Sequence, residues 1–290
     1  YQSGDPNHDD FRLVARLDPD ESSVPVFDHG YWYYTRFEPG MEYPLYARRK
    51  GKMDAPEQLM LDGNRMAAGQ AYFKIGTTAV SPDGKLLAWT EDTSGRRQFT
   101  LKVKDLESGD TLPDSVANIE EEFVWAGDNR TLLYVAKNPV TLLSERVYRH
   151  ALGTASAADA LVYEEKDQSF YLGIGKSRSE QYLFIALSST ESSEWRYADA
   201  NDPRLDFRAV LPREPHLLYD VEHLGPDFVL RTNHEAPNFR IVKAPIRTSA
   251  DKRTWRDVLP HRPDAFLEAF EVATKHLVVN ERSGGLLKIR

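Results

Sequence analysis
The chain has 290 residues, with 37 Lys and Arg against 45 Asp and Glu and a formal net charge of −8. This acidic balance lacks the basic footprint that nucleic acid or an anionic membrane surface requires, so neither is expected as a partner. Cysteine is absent, which excludes disulfides and thiolate metal sites and fits a reducing, cytoplasmic setting.

Tyr1 to Asp10 is polar and acidic and reads as a disordered lead, not as a secretory leader. Residues 11–290 read as a single all-β domain. No apolar run approaches the roughly 20 residues that cross a bilayer. Val24 to Phe27, the turn Asp28-His29-Gly30 and Tyr31 to Tyr34 read as strand, turn, strand. Further short strands are expected at Tyr43 to Ala47 and, as an edge, at Glu57 to Leu61.

The stretch from Thr78 to Thr111 then sets a template. Ser81-Pro82-Asp83-Gly84 is a turn, with Pro fixing φ and Gly supplying the positive φ that follows. Leu86 to Thr90 is a strand, and Thr93-Ser94-Gly95 turns the chain. Phe99, Leu101 and Val103 then alternate with Thr100, Lys102 and Lys104, as in a half-buried strand. A short edge strand is expected to open at Thr111, separate from the next strand at Ile119 to Val124.

The template recurs with turns near Gly30, Gly84, Asn129, Glu180, Asp227 and Lys275. Their spacing is about 45 to 55 residues, the period of a four-stranded propeller blade. The fold class is therefore a β-propeller of antiparallel blades, five complete and a sixth begun. A pair of β-sandwiches is the alternative, disfavoured by the long regular period. The strand-like Leu286 to Arg290 and the missing initiator Met suggest a piece of a longer protein.

Motifs for chemistry are scarce. Gly175-Lys176-Ser177-Arg178-Ser179 approaches a nucleophile elbow but lacks the final Gly and falls in a blade turn. The histidines are scattered without metal-ligand spacing, so neither a metal nor a cofactor is expected. Glu120-Glu121-Glu122 reads as a charged rim, or as a carboxylate cluster of the glycosidase kind. Arg96-Arg97 reads as a hairpin-tip pair, solvent-exposed or in contact with a partner. From the residues alone, a stand-alone propeller that binds a protein or peptide on one rim stays open.

Several motifs go further than the pattern. Glu38-Pro39-Gly40-Met41-Glu42-Tyr43-Pro44-Leu45-Tyr46 resembles the E-P-G-x-E-Y-x-x-Y stretch of the oligopeptidase B branch of the prolyl oligopeptidase family. Leu61-Asp62-Gly63-Asn64, Ser94-Gly95-Arg96-Arg97-Gln98 and Phe123-Val124-Trp125-Ala126 are similar to that family's L-D-x-N, S-x-R-R-Q-type and F-V-W-A segments. Asn138 to Leu143, Tyr148 to Thr154 and Tyr163-Glu164-Glu165-Lys166-Asp167 continue the series in order. The resemblance implies a seven-bladed parent propeller partnered by a C-terminal α/β-hydrolase domain of the same protein. It implies a cytosolic serine oligopeptidase that cleaves short peptides after Lys or Arg. The Ser, Asp and His triad would lie in the hydrolase domain, so no residue of this chain is expected to be catalytic. Arg96, Arg97, Glu121 and Glu122 are the expected interdomain or substrate-rim residues, Arg97 foremost. Ala71 stands where bacterial relatives often carry an acidic residue, a departure that argues against a fixed interface network.

Overall fold
The computed structural model describes residues 22–290 except 139, 274 and 275; the expected lead and the anchor at Lys275 lie outside them. Its strands follow one another as antiparallel neighbours, blade after blade. The first blade holds β1 (Val26–Asp28), β2 (Tyr31–Arg36), β3 (Leu45–Lys50) and β4 (Glu57–Asp62). A single helical turn, α1 (Gly63–Ala67), leads out of it, capped by the Asp62 side chain on the Arg65 amide.

The second blade holds β5 (Lys74–Val80), β6 (Leu86–Asp92), β7 (Phe99–Asp105) and the first part of β8 (Thr111–Trp125). The third holds the rest of β8 with β9 (Thr131–Lys137), β10 (Ser144–Ala151) and β11 (Ala160–Glu164). Here the structure corrects the expectation of two strands at Thr111 and Ile119. One strand of 15 residues is the outer strand of one blade and the inner strand of the next. The two blades thus form one continuous seven-stranded sheet. The bend sits at Asn118, whose φ of +59° turns the chain without breaking the ladder. Its side chain accepts from Gln98 and donates to the Lys137 carbonyl, so both neighbouring blades hold the corner.

The fourth blade is β12 (Tyr171–Lys176), β13 (Tyr182–Ser188), β14 (Ser193–Asp199) and β15 (Arg208–Ala209). The fifth is β16 (Tyr219–Leu224), β17 (Asp227–Thr232), β18 (Arg240–Pro245) and β19 (Arg256–Leu259). Its first turn is Gly225-Pro226, so Asp227 opens a strand instead of sitting in the turn. The sixth has three strands, β20 (Phe266–Val272), β21 (Leu277–Ser283) and β22 (Leu286–Ile289).

The core is divided, one apolar cluster per junction between successive blades. Met60 and Leu61 meet Leu87 and Trp89 between the first and second. Leu101 and Val103 meet Ile119 and Leu132 between the second and third. Val135 and Val147 meet Leu183 and Ile185 next, then Phe184 meets Tyr219 and Phe228. Val229 and Ile241 meet Leu267 and Val279 between the fifth and sixth. A twisted sheet with two apolar faces cannot bury both alone, so each blade is stabilised by its neighbours. Antiparallel alternation puts the first-to-second-strand turns at one end of the molecule. The second-to-third-strand loops and the links between blades lie at the other.

Candidate functional site
The expected rim residues lie at the end that carries the inter-blade links. Asp92 closes β6 and is buried, at 1% exposure. Its Oδ1 accepts the Ser94 amide at 2.8 Å, the Ser94 hydroxyl at 2.7 Å and the Gly95 amide at 3.1 Å. Its Oδ2 accepts the Arg97 amide at 2.9 Å. Burial pushes the Asp92 carboxyl up, but the bonds from Ser94, Arg97 and Gly95 outweigh it and hold the group below its usual range. The loop is therefore wired to one carboxylate, with Arg97 in the left-handed region at φ +55°. The Arg96 and Arg97 side chains are exposed and make no hydrogen bond or ion pair among the described residues.

The glutamates alternate along β8. Glu121 pairs with Lys74 at 2.8 Å. Glu120 pairs with Lys137 at 3.2 Å and accepts the Ser144 hydroxyl. Lys137 also donates to the Arg97 carbonyl at 2.6 Å. The structure thus joins the Arg97 backbone, Lys137 and Glu120, with Glu121 on the same strand. The Arg96 and Glu122 side chains face solvent beside them. Two of the three carboxylates are matched by lysine, so this is no bare acid pair of the glycosidase kind.

Sequence reasoning missed the apolar part of this rim. Asn138 accepts the amides of Val140 and Thr141 and shapes a loop between β9 and β10. Val140 is 87% exposed there, and Leu142 and Leu143 are also exposed. Two guanidinium groups without a partner among the described residues, with exposed aliphatic side chains at the same end, make a surface suited to another folded unit.

At the opposite end, a cavity of about 810 Å³ lies between β1–β2 and the inner strands β5, β8 and β12. Asp28 and His29 on the first blade and Glu180 on the fourth stand at it, their ligand-type atoms within 4.8 Å of one another. Nearby, the Ser179 hydroxyl lies 2.7 Å from Nδ1 of His223, whose Nε2 lies 2.7 Å from the Gly225 carbonyl. A carbonyl only accepts, so Nε2 carries the proton and Nδ1 accepts from Ser179. The third partner is a backbone carbonyl where a triad has a carboxylate, and His223 is 2% exposed, packed against Tyr182. Ser179 and His223 staple the fourth-blade turn to β16. The Ser177-Arg178-Ser179 stretch is the hairpin loop that its sequence suggested.

The motif residues explain themselves as clamps. Asn64 accepts the Tyr43 amide at 2.9 Å and donates to its carbonyl at 2.8 Å. Imidazole nitrogens of His150 lie 3.1 Å from Asp114 and 2.8 Å from Asp159, all three side chains buried. Arg213 binds Glu165 at 2.5 Å and Glu194 at 2.9 Å, and its guanidinium stacks 3.8 Å from the Phe170 ring centre. Burial and the adjacent Glu165 push the Tyr163 phenol up to about 12.

Comparison with known proteins agrees with this architecture. Residues 10–290 match the family described as "Prolyl oligopeptidase, N-terminal beta-propeller domain". The chain is 45% identical to dipeptidyl aminopeptidase BI of Pseudoxanthomonas mexicana, covering 96% of the chain and 40% of that protein. It is 30% identical to protease 2 of Moraxella lacunata, covering 96% of the chain and 41% of that protein. The structure of oligopeptidase B from Leishmania major superimposes with a TM-score of 0.91 at 29% identity, covering 97% of this chain and 40% of that one. The chain therefore spans about two fifths of the length of these relatives.

Proposed function
The chain belongs to the prolyl oligopeptidase family, and we propose that it is the substrate-gating propeller of a serine peptidase that cleaves short peptides after Lys or Arg. The observation that carries the reading is the rim of Arg96, Arg97, Val140, Leu142 and Leu143 at one end of the propeller. It presents charge and apolar surface together, as a face against a catalytic α/β-hydrolase domain requires. Glu121 and Glu122 extend that rim, and a basic peptide passing it would meet the exposed Glu122. Covering a reactive centre with a propeller restricts entry to chains thin enough to pass the cleft. The names protease 2 and oligopeptidase B support basic-residue specificity. We place the protein in the cytoplasm on the absence of cysteine.

A second reading rests on the higher identity to a dipeptidyl aminopeptidase. Such an enzyme removes dipeptides from a free N-terminus, so it must recognise the α-ammonium group. One experiment separates the two. The longer protein is assayed on an arginyl substrate with its N-terminus free or acetylated. Cleavage of both forms supports the endopeptidase. Cleavage of the free form alone supports dipeptide release. No cleavage after basic residues overturns the first reading. The 290-residue chain by itself is expected to hydrolyse neither, and hydrolysis by it would refute the gating role.

A further inference from the structure
We propose that Asp28, His29 and Glu180 form a proton-operated clasp between the first and fourth blades, closing one mouth of the central cavity. The two blades are not neighbours in sequence, and the clasp joins their first turns directly. Nδ1 of His29 lies 3.0 Å from Asp28, and Nε2 lies 3.1 Å from Glu180. Both turns hold a non-glycine residue in the left-handed region, His29 at φ +43° and Glu180 at φ +60°. That conformation is disfavoured for a residue with a Cβ, and here it presents both side chains to one point.

The charges around the imidazole decide what it needs. Asp28 and Glu180 supply two negative charges, and Lys176, at the end of β12, faces them with one positive, its pKa lowered by burial against the pull of the two carboxylates. A proton on His29 adds a positive charge directly between the two carboxylates that its ring nitrogens face. A divalent cation would sit beside the Lys176 ammonium, which disfavours it. Arg178 lines the same cavity, its amide tied to Glu222. From β5 and β8 the cavity receives only Thr78–Val80, Ser81, Pro82 and Phe123–Trp125, none ionisable. Tyr33, Tyr34 and Tyr46 also face it, and burial raises all three phenols, so they stay neutral near pH 7.

The hydrogen-bonded Asp28 carboxylate raises the His29 pKa, partial burial opposes this, and Glu180 raises it further, leaving it above 6.5. A raised histidine pKa means that the added stability is full below about pH 6.5 and fades as pH rises through the folded-state value. The clasp is therefore closed at mildly acid pH and released at mildly alkaline pH. This inference concerns the propeller itself and does not depend on which peptides the longer protein cleaves.

The absence of cysteine makes the test direct. Thr78→Cys places one thiol in the cavity wall, and Lys52→Cys places one on the exposed surface as a reference. Thiol labelling is measured from about pH 6 to about pH 8.5, each rate corrected for thiolate fraction. The ratio of cavity to reference rate is expected to rise about threefold or more across the His29 titration. In His29→Gln the ratio should be high and flat with pH. Glu180→Gln removes the cross-blade carboxylate, so the ratio should be raised at acid pH as well, and the His29 ring resonances by NMR should titrate at lower pH than in the parent. A flat ratio in the otherwise unchanged chain overturns the proposal. So does a rise that survives His29→Gln, or a His29 titration that Glu180→Gln leaves in place.

Discussion

Asp92 Oδ2 accepts the amide of Arg97 at 2.9 Å, so a buried carboxylate at the end of β6 fixes the backbone of the residue expected to face a second domain. Four hydrogen bonds converge on Asp92 from Ser94, Gly95 and Arg97. Asp92→Ala should destabilise the chain by about 2–3 kcal/mol, since the donors around a buried charged acceptor lose their partner. Urea unfolding measures it, as a lower midpoint at unchanged slope. Because the Asp92 pKa is lowered on folding, its contribution is present above the unfolded value of about 4 and is lost as pH falls through the folded value. The wild-type chain should therefore lose stability more steeply than Asp92→Ala in that acid window. Parallel pH profiles would contradict this.

His150 lies between Asp114 and Asp159 with all three side chains at 5% exposure or less. Asp114 also accepts the Gly153 amide at 2.6 Å, and Asp159 accepts the Tyr134 hydroxyl at 2.9 Å. The cluster ties the outer strand of the second blade to the third. His150→Phe fills the volume but leaves two buried carboxylates without their shared partner, which should cost about 3–5 kcal/mol. Asp114→Asn with Asp159→Asn should recover part of the loss in the same unfolding assay. A His150→Phe chain as stable as the parent would show that the imidazole adds nothing.

These two carboxylates show where the sequence was legible and where it was not. The blade period was readable because several first turns carry Gly or Asn at a positive-φ position, as at Gly30, Gly84, Asn129 and Gly225, with Glu180 an exception. The family motifs were readable too, His150 and Glu165 among them. Their work was not, because Asp114 and Arg213 lie far along the chain from the residues they hold. The join between the second and third blades was misread for a local reason. Asn118 bends β8 with its side chain bonded on both flanks, so residues that read as two strands stay in one ladder. Arg96, Arg97, Glu121 and Glu122 were named as interdomain or substrate-rim residues with the help of the family resemblance, and that role remains part of the proposal. The clasp of His29 with Glu180 was invisible, since only closure of the blades into an arc brings those turns together.

Arg97 and Arg96 lack partners among the described residues, so their loss should not harm the fold. Arg96→Ala and Arg97→Ala should each change the stability of the chain by less than about 0.5 kcal/mol. In the longer protein, Arg97→Ala should lower kcat/KM by about tenfold if its guanidinium pairs across a domain face, with Arg96→Ala milder. Added salt should narrow the gap between Arg97→Ala and the parent, because the missing interaction is electrostatic. Equal losses from both variants, or a gap that salt leaves unchanged, would remove Arg97 from the interface.

Gly76 sets the position of the neighbouring carboxylate by having no side chain. A Cβ there would lie 2.6 Å from the Thr90 hydroxyl, 2.7 Å from Cγ of Glu121 and 2.9 Å from the Phe99 ring. Phe99 is 1% exposed and cannot swing away. The Thr90 hydroxyl is held by the Thr77 amide at 3.0 Å and by the Glu121 carbonyl at 2.7 Å. Glu121 is the movable neighbour, so Gly76→Ala should push its side chain outward and break the 2.8 Å pair with Lys74. The strain should cost about 1–3 kcal/mol. The pair itself is partly exposed and contributes little to that sum. A double-mutant cycle between Lys74→Ala and Glu121→Ala, run with and without Gly76→Ala, isolates the effect. The Lys74–Glu121 coupling should vanish in the Gly76→Ala background, and persistence of the coupling there would show that β5 shifts instead of Glu121.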